Sequence, residues 1–388
     1  MTTTGLEVFL RDPPSWIRGR RFGLLCNQAS VDRSYRHAKD LLASVFPGQL
    51  TCLFSPQHGL HAEKQDNMVE SPHGWDAGLR IPVFSLYAEN RSPSADQLDE
   101  LDLVLVDLQD VGCRVYTYVW TLLLLMEACA CRGKGVAILD RPNPIGGTKV
   151  EGNLLDPGLF SFVGHAVIPM RHGMTIGELA GFLVMDKGLD LELHVVRLEG
   201  WKREWDLAMA GLPWVWPSPN MPTLDTARVY PGQVVLEGTC LSEGRGTTRP
   251  FEVFGAPFLD LAGIRADFER MGLEGCVLRD QYFEPTFQKW QGNRCMGFQI
   301  HVTDFSLYEP YVTTLALLSS IKRRHPEDFF WRDPPYEYEY VRLPTDLIIG
   351  DRRVREAVEC GAGPNEFRSL WQEGLKEFAA LRRRFLLY

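Results

Sequence analysis

The sequence lacks the motifs by which nucleotide- and metal-dependent enzymes are usually recognised. It has no G-x-x-x-x-G-K-[ST] phosphate loop and no H-E-x-x-H or comparable metal-ligand spacing. Two glycine pairs, Gly133/Gly135 and Gly244/Gly246, lack the third glycine of the dinucleotide fingerprint and do not lie between a first strand and a helix. We therefore predict no cofactor and no metal site.

The sequence also lacks an excess of positive charge, an apolar run long enough to span a bilayer, and cysteine pairs with C-x-x-C spacing. The formal net charge is −9, which argues against a nucleic-acid or anionic-membrane partner. The apolar run around Leu122 is shorter than the roughly 20 residues that span a bilayer, and it contains Glu127. No secretory signal pattern precedes the first strand, and the nine cysteines form no C-x-x-C pair. These features predict a soluble, cytoplasmic protein with free thiols; they carry no signal for an oligomeric state.

The first half of the chain alternates predicted strands and helices. Apolar runs rich in branched residues predict strands buried on both faces, at 21–26, 50–54, 81–85, 103–108, 135–139, 166–170 and 191–196. Apolar spacing and good helix formers predict helices at 35–46, 119–131 and 176–185, the last with Thr175 as N-cap and Glu178 in the capping-box position. The alternation predicts an α/β fold, a Rossmann-like parallel sheet with helices on both faces.

The second half has a different texture. An aromatic and proline-rich stretch at 214–222 is followed by a glycine-rich polar loop at 237–249. A strand is predicted at 296–302, with helices at 311–322 and 366–385. We predict two domains: a Rossmann-like catalytic domain at 1–205 and a smaller C-terminal α+β domain at 206–388 that completes the site.

Polar residues follow strand after strand of the predicted sheet, next to glycine or proline. Because ligands of open parallel sheets bind beyond the carboxyl ends of the strands, these endings predict a polar small-molecule site. The candidate residues along this rim are Asn27, Gln57, His58, Glu63, Asp66, Asp107, Asp110, Arg114, Tyr116, Asp140, Arg141, Asn143, Arg171 and His172. Abundant Asp, Asn and Gln, several arginines and the aromatic residues Tyr87, Tyr116, Trp214 and Trp216 suit a sugar that bears an acid group.

Each group also has a structural interpretation when it is taken alone. His58, with Glu63 and Asp66 nearby in sequence, is compatible with a solvated loop that contains a structural histidine. Asp110 is equally compatible with a helix cap or an ion pair to Arg114. The same alternatives hold for 140–143, for 171–172 and for the loop around Arg245.

Several long motifs resemble the family of NamZ-like exo-β-N-acetylmuramidases, glycoside hydrolases formerly described as a domain of unknown function. The motifs are 54–59 (FSPQHG), 63–67 (EKQDN), 107–112 (DLQDVG), 114–118 (RVYTY), 139–144 (LDRPNP), 217–220 (PSPN) and 237–246 (EGT…GRG). The resemblance covers nearly the whole chain in order. It implies a Rossmann-like domain, a smaller C-terminal domain, and release of N-acetylmuramic acid from non-reducing ends of peptidoglycan fragments without a metal or nucleotide.

One position departs from the family pattern. The family has a candidate catalytic glutamate just before the His-Gly pair, and this chain has Gln57 there. An amide can act neither as a general acid nor as a carboxylate nucleophile. We therefore expect Glu63 to serve as the general acid with His58 positioning it, and Asp110 or Asp66 to serve as the second carboxylate.

The remaining candidates are expected to bind substrate. Arg114, Arg171 or Arg245 would pair with the lactyl carboxylate through a charge-assisted contact. The other expected substrate-binding residues are Gln57, Asn27, Tyr116, Asp140, Arg141, Asn143, His172, Asn220, Glu237 and Thr247. The expected partner is thus a small muropeptide-derived sugar, met in the cytoplasm during recycling of imported wall fragments.

Two other functions are compatible with the same residues. In one, Gln57 marks a sugar-binding protein that has lost hydrolysis. In the other, the site hydrolyses a different β-glycoside or a sugar-acid derivative. Turnover and a substrate panel distinguish these alternatives from the muramidase.

Overall fold

The computed structural model describes residues 1–66 and 68–388, so Asn67, the last residue of the 63–67 motif, lies outside the described residues. The described residues form twelve strands in chain order: β1 Phe22–Cys26, β2 Leu50–Ser55, β3 Gly74–Asp76, β4 Ile81–Ser85, β5 Leu103–Asp107, β6 Gly135–Leu139, β7 Glu151–Leu154, β8 Pro169–Arg171, β9 Leu193–Val196, β10 Val253–Ala256, β11 Cys276–Phe283 and β12 Cys295–Val302.

Eleven α-helices lie between and after these strands in the described part of the chain. They are α1 Gly5–Arg11, α2 Ala38–Val45, α3 Ala95–Asp99, α4 Tyr118–Cys131, α5 Ile176–Lys187, α6 Leu224–Gln233, α7 Leu261–Met271, α8 Pro310–Arg324, α9 Pro344–Ile349, α10 Arg352–Glu359 and α11 Pro364–Arg382. Helix α5 begins with the predicted capping box: the Thr175 side chain accepts from the Glu178 backbone, and the Glu178 side chain accepts from the Thr175 backbone.

Seven strands form the central sheet, in the order β3-β4-β2-β1-β5-β6-β9. All neighbours are parallel except β3, which pairs antiparallel with the β4 edge. Strand β5 is buried along its whole length, and alternate residues face opposite sides. Leu103 and Leu105 pack with α1 and α2, whereas Val104 and Val106 pack with α4 and α5. The predicted α/β class, with helices on both faces of a mostly parallel sheet, is confirmed.

One predicted strand of the central sheet was wrong. The region 166–170 contributes β8, which pairs antiparallel with β7 in a separate two-stranded ribbon. The backbone of this segment bonds to other partners, because Ile168 accepts from Leu155 and Met170 accepts from Arg114. An apolar run alone does not tell which sheet a strand joins.

The C-terminal part contains the three-stranded antiparallel sheet β10-β12-β11 and the helices α6 to α11, so the predicted smaller α+β part is confirmed. A single hydrophobic core contains residues from both halves, including Phe182 of α5 and Phe378 of α11, whose rings lie 6.2 Å apart. The boundary at 205/206 stays a prediction.

Within residues 1–66 and 68–388, no helix is long and apolar enough to cross a membrane. The same residues contain no cluster of three or more His, Cys, Asp or Glu side chains that could hold a metal ion.

Candidate active site

A narrow cavity lies beyond the carboxyl ends of β1, β2 and β5, between the central sheet and the C-terminal part of the chain. Its volume is about 40 Å³, which is space for about three water molecules. The lining residues come from five regions: the segment after β2, the segment 115–118 at the start of α4, Val163, the region 218–251, and the segment 336–337. They include Gln57, His58, Tyr116, Thr117, Tyr118, Ser218, Asn220, Tyr230, Glu237, Arg245, Phe251, Tyr336 and Glu337.

A chain of hydrogen bonds fixes Gln57 against a carboxylate. The Thr117 hydroxyl donates to Gln57 Oε1 at 2.7 Å, so the amide nitrogen of Gln57 points the other way. That nitrogen donates to Glu337 Oε1 at 3.2 Å. The hydroxyl of Tyr87 donates to Glu337 Oε2 at 2.6 Å. Position 57 is therefore one partner of a buried amide–carboxyl pair.

Glu337 is held in an environment that favours its protonated form. Burial raises the pKa of its carboxyl, and the negative charge of Glu237 adds to this effect. The hydrogen bonds from Tyr87 and Gln57 oppose the rise but do not cancel it. Paired carboxyls with different pKa values are the usual acid and base of glycoside hydrolases.

Glu237 is the second carboxylate of the cavity, and it is paired with a cation. Arg245 Nη2 donates to Glu237 Oε1 at 2.6 Å, and the Tyr336 hydroxyl donates to Glu237 Oε2 at 2.6 Å. Behind this pair, Glu243 Oε2 lies 2.7 Å from Lys289 Nζ, and Glu243 Oε1 lies 3.3 Å from Arg245 Nε. The buried charges therefore alternate in sign, which offsets their desolvation.

Arg245 lines the cavity and has guanidinium nitrogens without a hydrogen-bond partner among the described residues. Burial by itself would lower its pKa, but the charges of Glu237 and Glu243 raise it, so the guanidinium stays charged. Within the described residues its buried Nη1 has no hydrogen-bond partner. The buried Tyr116 hydroxyl likewise lacks one among these residues. Unpaired buried donors are costly unless a ligand satisfies them.

His58 is neutral and fixed in one tautomer. Its Nδ1 lies 2.7 Å from the carbonyl oxygen of Lys64, so Nδ1 carries the proton and Nε2 is an acceptor. Burial lowers the pKa of His58 to about 4. Its backbone φ is 74°, a conformation that is uncommon outside glycine and clusters at functional sites.

Of the residues predicted from sequence, the structure brings Gln57, His58, Tyr116, Asn220, Glu237 and Arg245 to the cavity. Asn27 lies behind its wall, where its side-chain amide donates to the Tyr118 hydroxyl at 2.9 Å and to the Pro217 carbonyl at 2.7 Å. Asn27, Gln57, His58 and Tyr116 follow the parallel strands β1, β2 and β5, whereas Asn220, Glu237 and Arg245 belong to the region 218–251.

A second set of predicted residues lies in the protein interior, away from the cavity lining. The Arg114 guanidinium donates to four carbonyls, two of them at the end of α9 (Ile348 and Ile349). Arg171 donates to the Ile145 carbonyl at 2.6 Å and lies over the ring of Phe305. Both arginines therefore serve backbone and packing contacts.

The other interior residues bond to the turns that follow the strands. Asp110 accepts a hydrogen bond from the Gly112 backbone, and its carboxylate lies 3.4 Å from His172 Nε2. Asp140 accepts hydrogen bonds from the Thr175 hydroxyl, the Gly177 backbone and the Tyr388 hydroxyl. Arg141 forms an ion pair with Asp107, and the Asn143 side chain donates to the Met174 carbonyl. They stabilise these turns because buried polar groups need partners.

Glu63, Asp66 and Thr247 also lie outside the cavity lining. Glu63 is exposed and borders a separate groove on the other side of the 55–60 segment, together with Trp75. Asp66 accepts a hydrogen bond from Gln288. The Thr247 hydroxyl donates to the Gly244 carbonyl at 2.6 Å and closes a turn.

Sequence reasoning missed the segment that brings Glu337 and Tyr336 to the cavity. It lies in the stretch 334–340 (PPYEYEY), where tyrosine and glutamate alternate after two prolines. A loop so rich in aromatic and acidic residues, without the periodicity of a strand or helix, could have been recognised as a candidate part of a sugar site.

A Rossmann-like sheet with two buried carboxyls on one cavity beyond its strand ends defines the site of a sugar-processing hydrolase. Family models agree: the N-terminal model of exo-β-N-acetylmuramidase NamZ matches residues 22–225, and the C-terminal model matches residues 228–388. This chain belongs to the NamZ exo-β-N-acetylmuramidase family, and the predicted resemblance is confirmed.

Individual relatives support the same assignment. The chain is 38% identical over 386 residues to the peptidoglycan β-N-acetylmuramidase NamZ of Bacillus subtilis (strain 168), covering 99% of this chain and 91% of that protein. A crystal structure of a DUF1343 family protein from Bacteroides fragilis NCTC 9343 has a TM-score of 0.88 and 30% identity, covering 100% of this chain and 99% of the other. A second such protein from that organism has a TM-score of 0.77, 26% identity and the same coverage.

Proposed function

We propose that this glycoside hydrolase releases N-acetylmuramic acid from the non-reducing ends of peptidoglycan fragments at the Glu237–Glu337 cavity. The observation that carries the proposal is the pair of buried carboxyls on one cavity, Glu237 ion-paired and Glu337 with a raised pKa. Membership of the NamZ family supports both the reaction class and the sugar.

The shape of the cavity fits an exo-acting enzyme. Tyr336 and Glu337 of the segment 333–342 line it, and the Tyr338 hydroxyl of the same segment donates to the Met68 carbonyl at 3.3 Å. At about 40 Å³ the cavity is smaller than a sugar ring, so we expect it to widen when a terminal sugar enters; an endo-acting enzyme would need a cleft open at both ends.

Arg245 is the residue suited to bind the lactyl carboxylate that distinguishes muramic acid from glucosamine. Arg114 and Arg171 are engaged with backbone carbonyls away from the cavity. Arg245 borders the cavity and has an unpartnered Nη1 in the part of the chain that the structure describes. A guanidinium donor to a carboxylate is a strong, directional contact.

The place of action is also part of the proposal. We infer a cytoplasmic enzyme that acts on small wall fragments after their import. Cell fractionation with antibody detection tests this location; recovery of the protein in the culture medium would contradict it.

Hydrolysis of two chromogenic substrates tests the activity. We expect nitrophenol release from nitrophenyl β-N-acetylmuramide, with kcat/KM about 10²-fold or more above that for the N-acetylglucosaminide, which lacks the lactyl group. Equal hydrolysis of both would contradict the proposed substrate. Tight binding of N-acetylmuramic acid without turnover would instead identify a sugar-binding protein.

Product analysis tests the exo mode. Digestion of a wall oligosaccharide labelled at its reducing end should release free N-acetylmuramic acid from the first minutes, with label retained on chains shortened from the other end. Early appearance of labelled fragments of intermediate length would show internal cleavage.

A further inference from the structure

We propose that Glu337, carried by the C-terminal loop 333–342, is the general acid of the reaction, in place of a carboxylate at position 57. This inference rests on the proposed function. It differs from the expectation for Glu63, which is exposed and borders a groove outside the cavity.

The loop is built to present Glu337. Backbone hydrogen bonds at 2.9 Å join Tyr336 and Glu339 in both directions, so Glu337 and Tyr338 are the two central residues of a tight turn. Their φ angles are 45° and 66°. Turns with two positive φ values normally use Asn and Gly, because a Cβ makes this conformation unfavourable. Glu at such a position indicates that the side chain is needed there.

Contacts with the N-terminal half hold this turn in place. Arg342 Nε donates to Glu339 Oε2 at 2.8 Å, and its Nη1 and Nη2 donate to the carbonyls of Gly158 and Phe160 at 3.1 and 3.0 Å. On the other side, the Arg91 guanidinium lies 3.9 Å from the ring centre of Tyr87 and 4.6 Å from that of Tyr338. The acid is therefore fixed by both halves of the chain.

The amide at position 57 leaves Glu337 without a competing carboxyl. A carboxylate at position 57 would lie beside it, and two carboxylates at that distance cannot both be ionised. Gln57 instead offers an amide donor, which leaves Glu337 as the only carboxyl of this pair. Burial, which raises the pKa of Glu337, favours the protonated form that a general acid needs.

The proposed reaction has two stages: protonation of the leaving group with cleavage of the glycosidic bond, and then attack by water. The proton of Glu337 passes to the glycosidic oxygen while the bond from this oxygen to the anomeric carbon breaks, and the bonding electron pair stays on the oxygen. The charge of Glu237 stabilises the positive charge that develops on the sugar. A water oxygen then bonds to the anomeric carbon while one O–H bond of this water breaks, and its proton passes to the Glu337 carboxylate, so the enzyme is unchanged.

The dependence on the leaving group provides the test. A sugar hydroxyl needs protonation to leave, whereas nitrophenolate hardly does. For Glu337→Gln we expect kcat on the natural disaccharide to fall about 10²- to 10⁴-fold, with a loss on nitrophenyl N-acetylmuramide at least 10-fold smaller. In the same assay Glu63→Gln tests the rival acid.

Asp333→Asn is the matched control, because it removes an exposed carboxylate from the same loop 333–342 outside the cavity lining. It should show no selective loss on the disaccharide. The inference is overturned if Glu337→Gln hydrolyses the disaccharide as the wild type does, if it loses both substrates equally, or if the selective loss appears in Glu63→Gln instead. A wild type inactive on every muramide would overturn the proposed function itself.

A second variant covers the case in which Glu337→Gln fails to fold. Tyr87→Phe removes a hydrogen bond that favours the ionised form of Glu337, so the pKa of Glu337 should rise. We expect the alkaline limb of kcat/KM for the disaccharide to move to higher pH. A limb that does not move, or moves to lower pH, would overturn the assignment.

Discussion

The side-chain amide of Gln57 donates a hydrogen bond to the carboxyl of Glu337, a residue 280 positions later in the chain. The amide has a fixed orientation because Thr117 donates to its oxygen. The Gln57–Glu337 pair thus joins the segment after β2 to the C-terminal loop. It contains a single carboxyl, whereas a glutamate at position 57 would have to share a proton with Glu337.

Gln57→Glu should therefore change the pH dependence rather than simply increase activity. Two carboxyls at this distance hold one proton between them, so we expect the alkaline limb of kcat/KM to rise by about 1 pH unit or more. Rate measurements from pH 5 to 9 check this. Adding Glu337→Gln to this variant restores a single carboxyl and should move the limb back; an unmoved limb in the single variant would contradict the prediction.

Arg245→Lys should weaken the preference for the lactyl group. The substitution keeps a positive charge between Glu237 and Glu243 but removes the guanidinium donor that has no hydrogen-bond partner among the described residues. We expect the ratio of kcat/KM for the muramide over the glucosaminide to fall about 10- to 100-fold, the value of a hydrogen bond to a charged group. Arg332→Lys, in a neighbouring cavity, is the matched control. An unchanged ratio would show that another group reads the lactyl carboxylate.

Arg342→Ala should loosen the loop that carries Glu337. The substitution removes the hydrogen bonds to Gly158 and Phe160 that tie the loop to the N-terminal half. We expect kcat/KM to fall about 10-fold, since the acid is no longer held in place. Hydrogen exchange in residues 336–342 should become faster, while exchange in β5 stays as in the wild type. Slow exchange in this loop would indicate that other contacts suffice.

Asp140 should make stability depend on pH in the direction opposite to most carboxylates. Burial raises its pKa to about 6, above the unfolded value of 3.8, so the folded state binds the proton more tightly. Its contribution to stability is complete below pH 3.8 and is lost as the pH rises through 6, a change of up to about 3 kcal/mol.

Urea unfolding of the wild type and Asp140→Asn at several pH values measures this effect. The asparagine variant cannot ionise, so the difference in unfolding free energy between the two proteins should change between pH 4 and pH 7. A constant difference would show that the pKa of Asp140 is not raised.

Strands β1, β5 and β6 were predictable because each is a short run of apolar residues buried on both faces, and such runs are visible without any partner. Strand β3 was not predicted, because its three residues are largely exposed and form no such run. The polar residues that follow the predicted strands were also found. Which of those residues reach the cavity was not predictable, since this depends on distant segments. Arg114 is engaged by α9, more than 230 positions later, and Glu337 reaches Gln57 only through a turn with two unusual φ angles.

The position of Glu337 near the end of the chain has a consequence for how the protein is made. Gln57 and the first strands leave the ribosome early, whereas Glu337 emerges 280 residues later, ahead of α9 to α11 and of Tyr388, whose hydroxyl bonds to Asp140. A nascent chain that has not reached Glu337 lacks the residue that we propose as the acid, even where the sheet has formed. On this proposal, cleavage of glycosidic bonds begins only once the 336–339 turn has docked against Gln57.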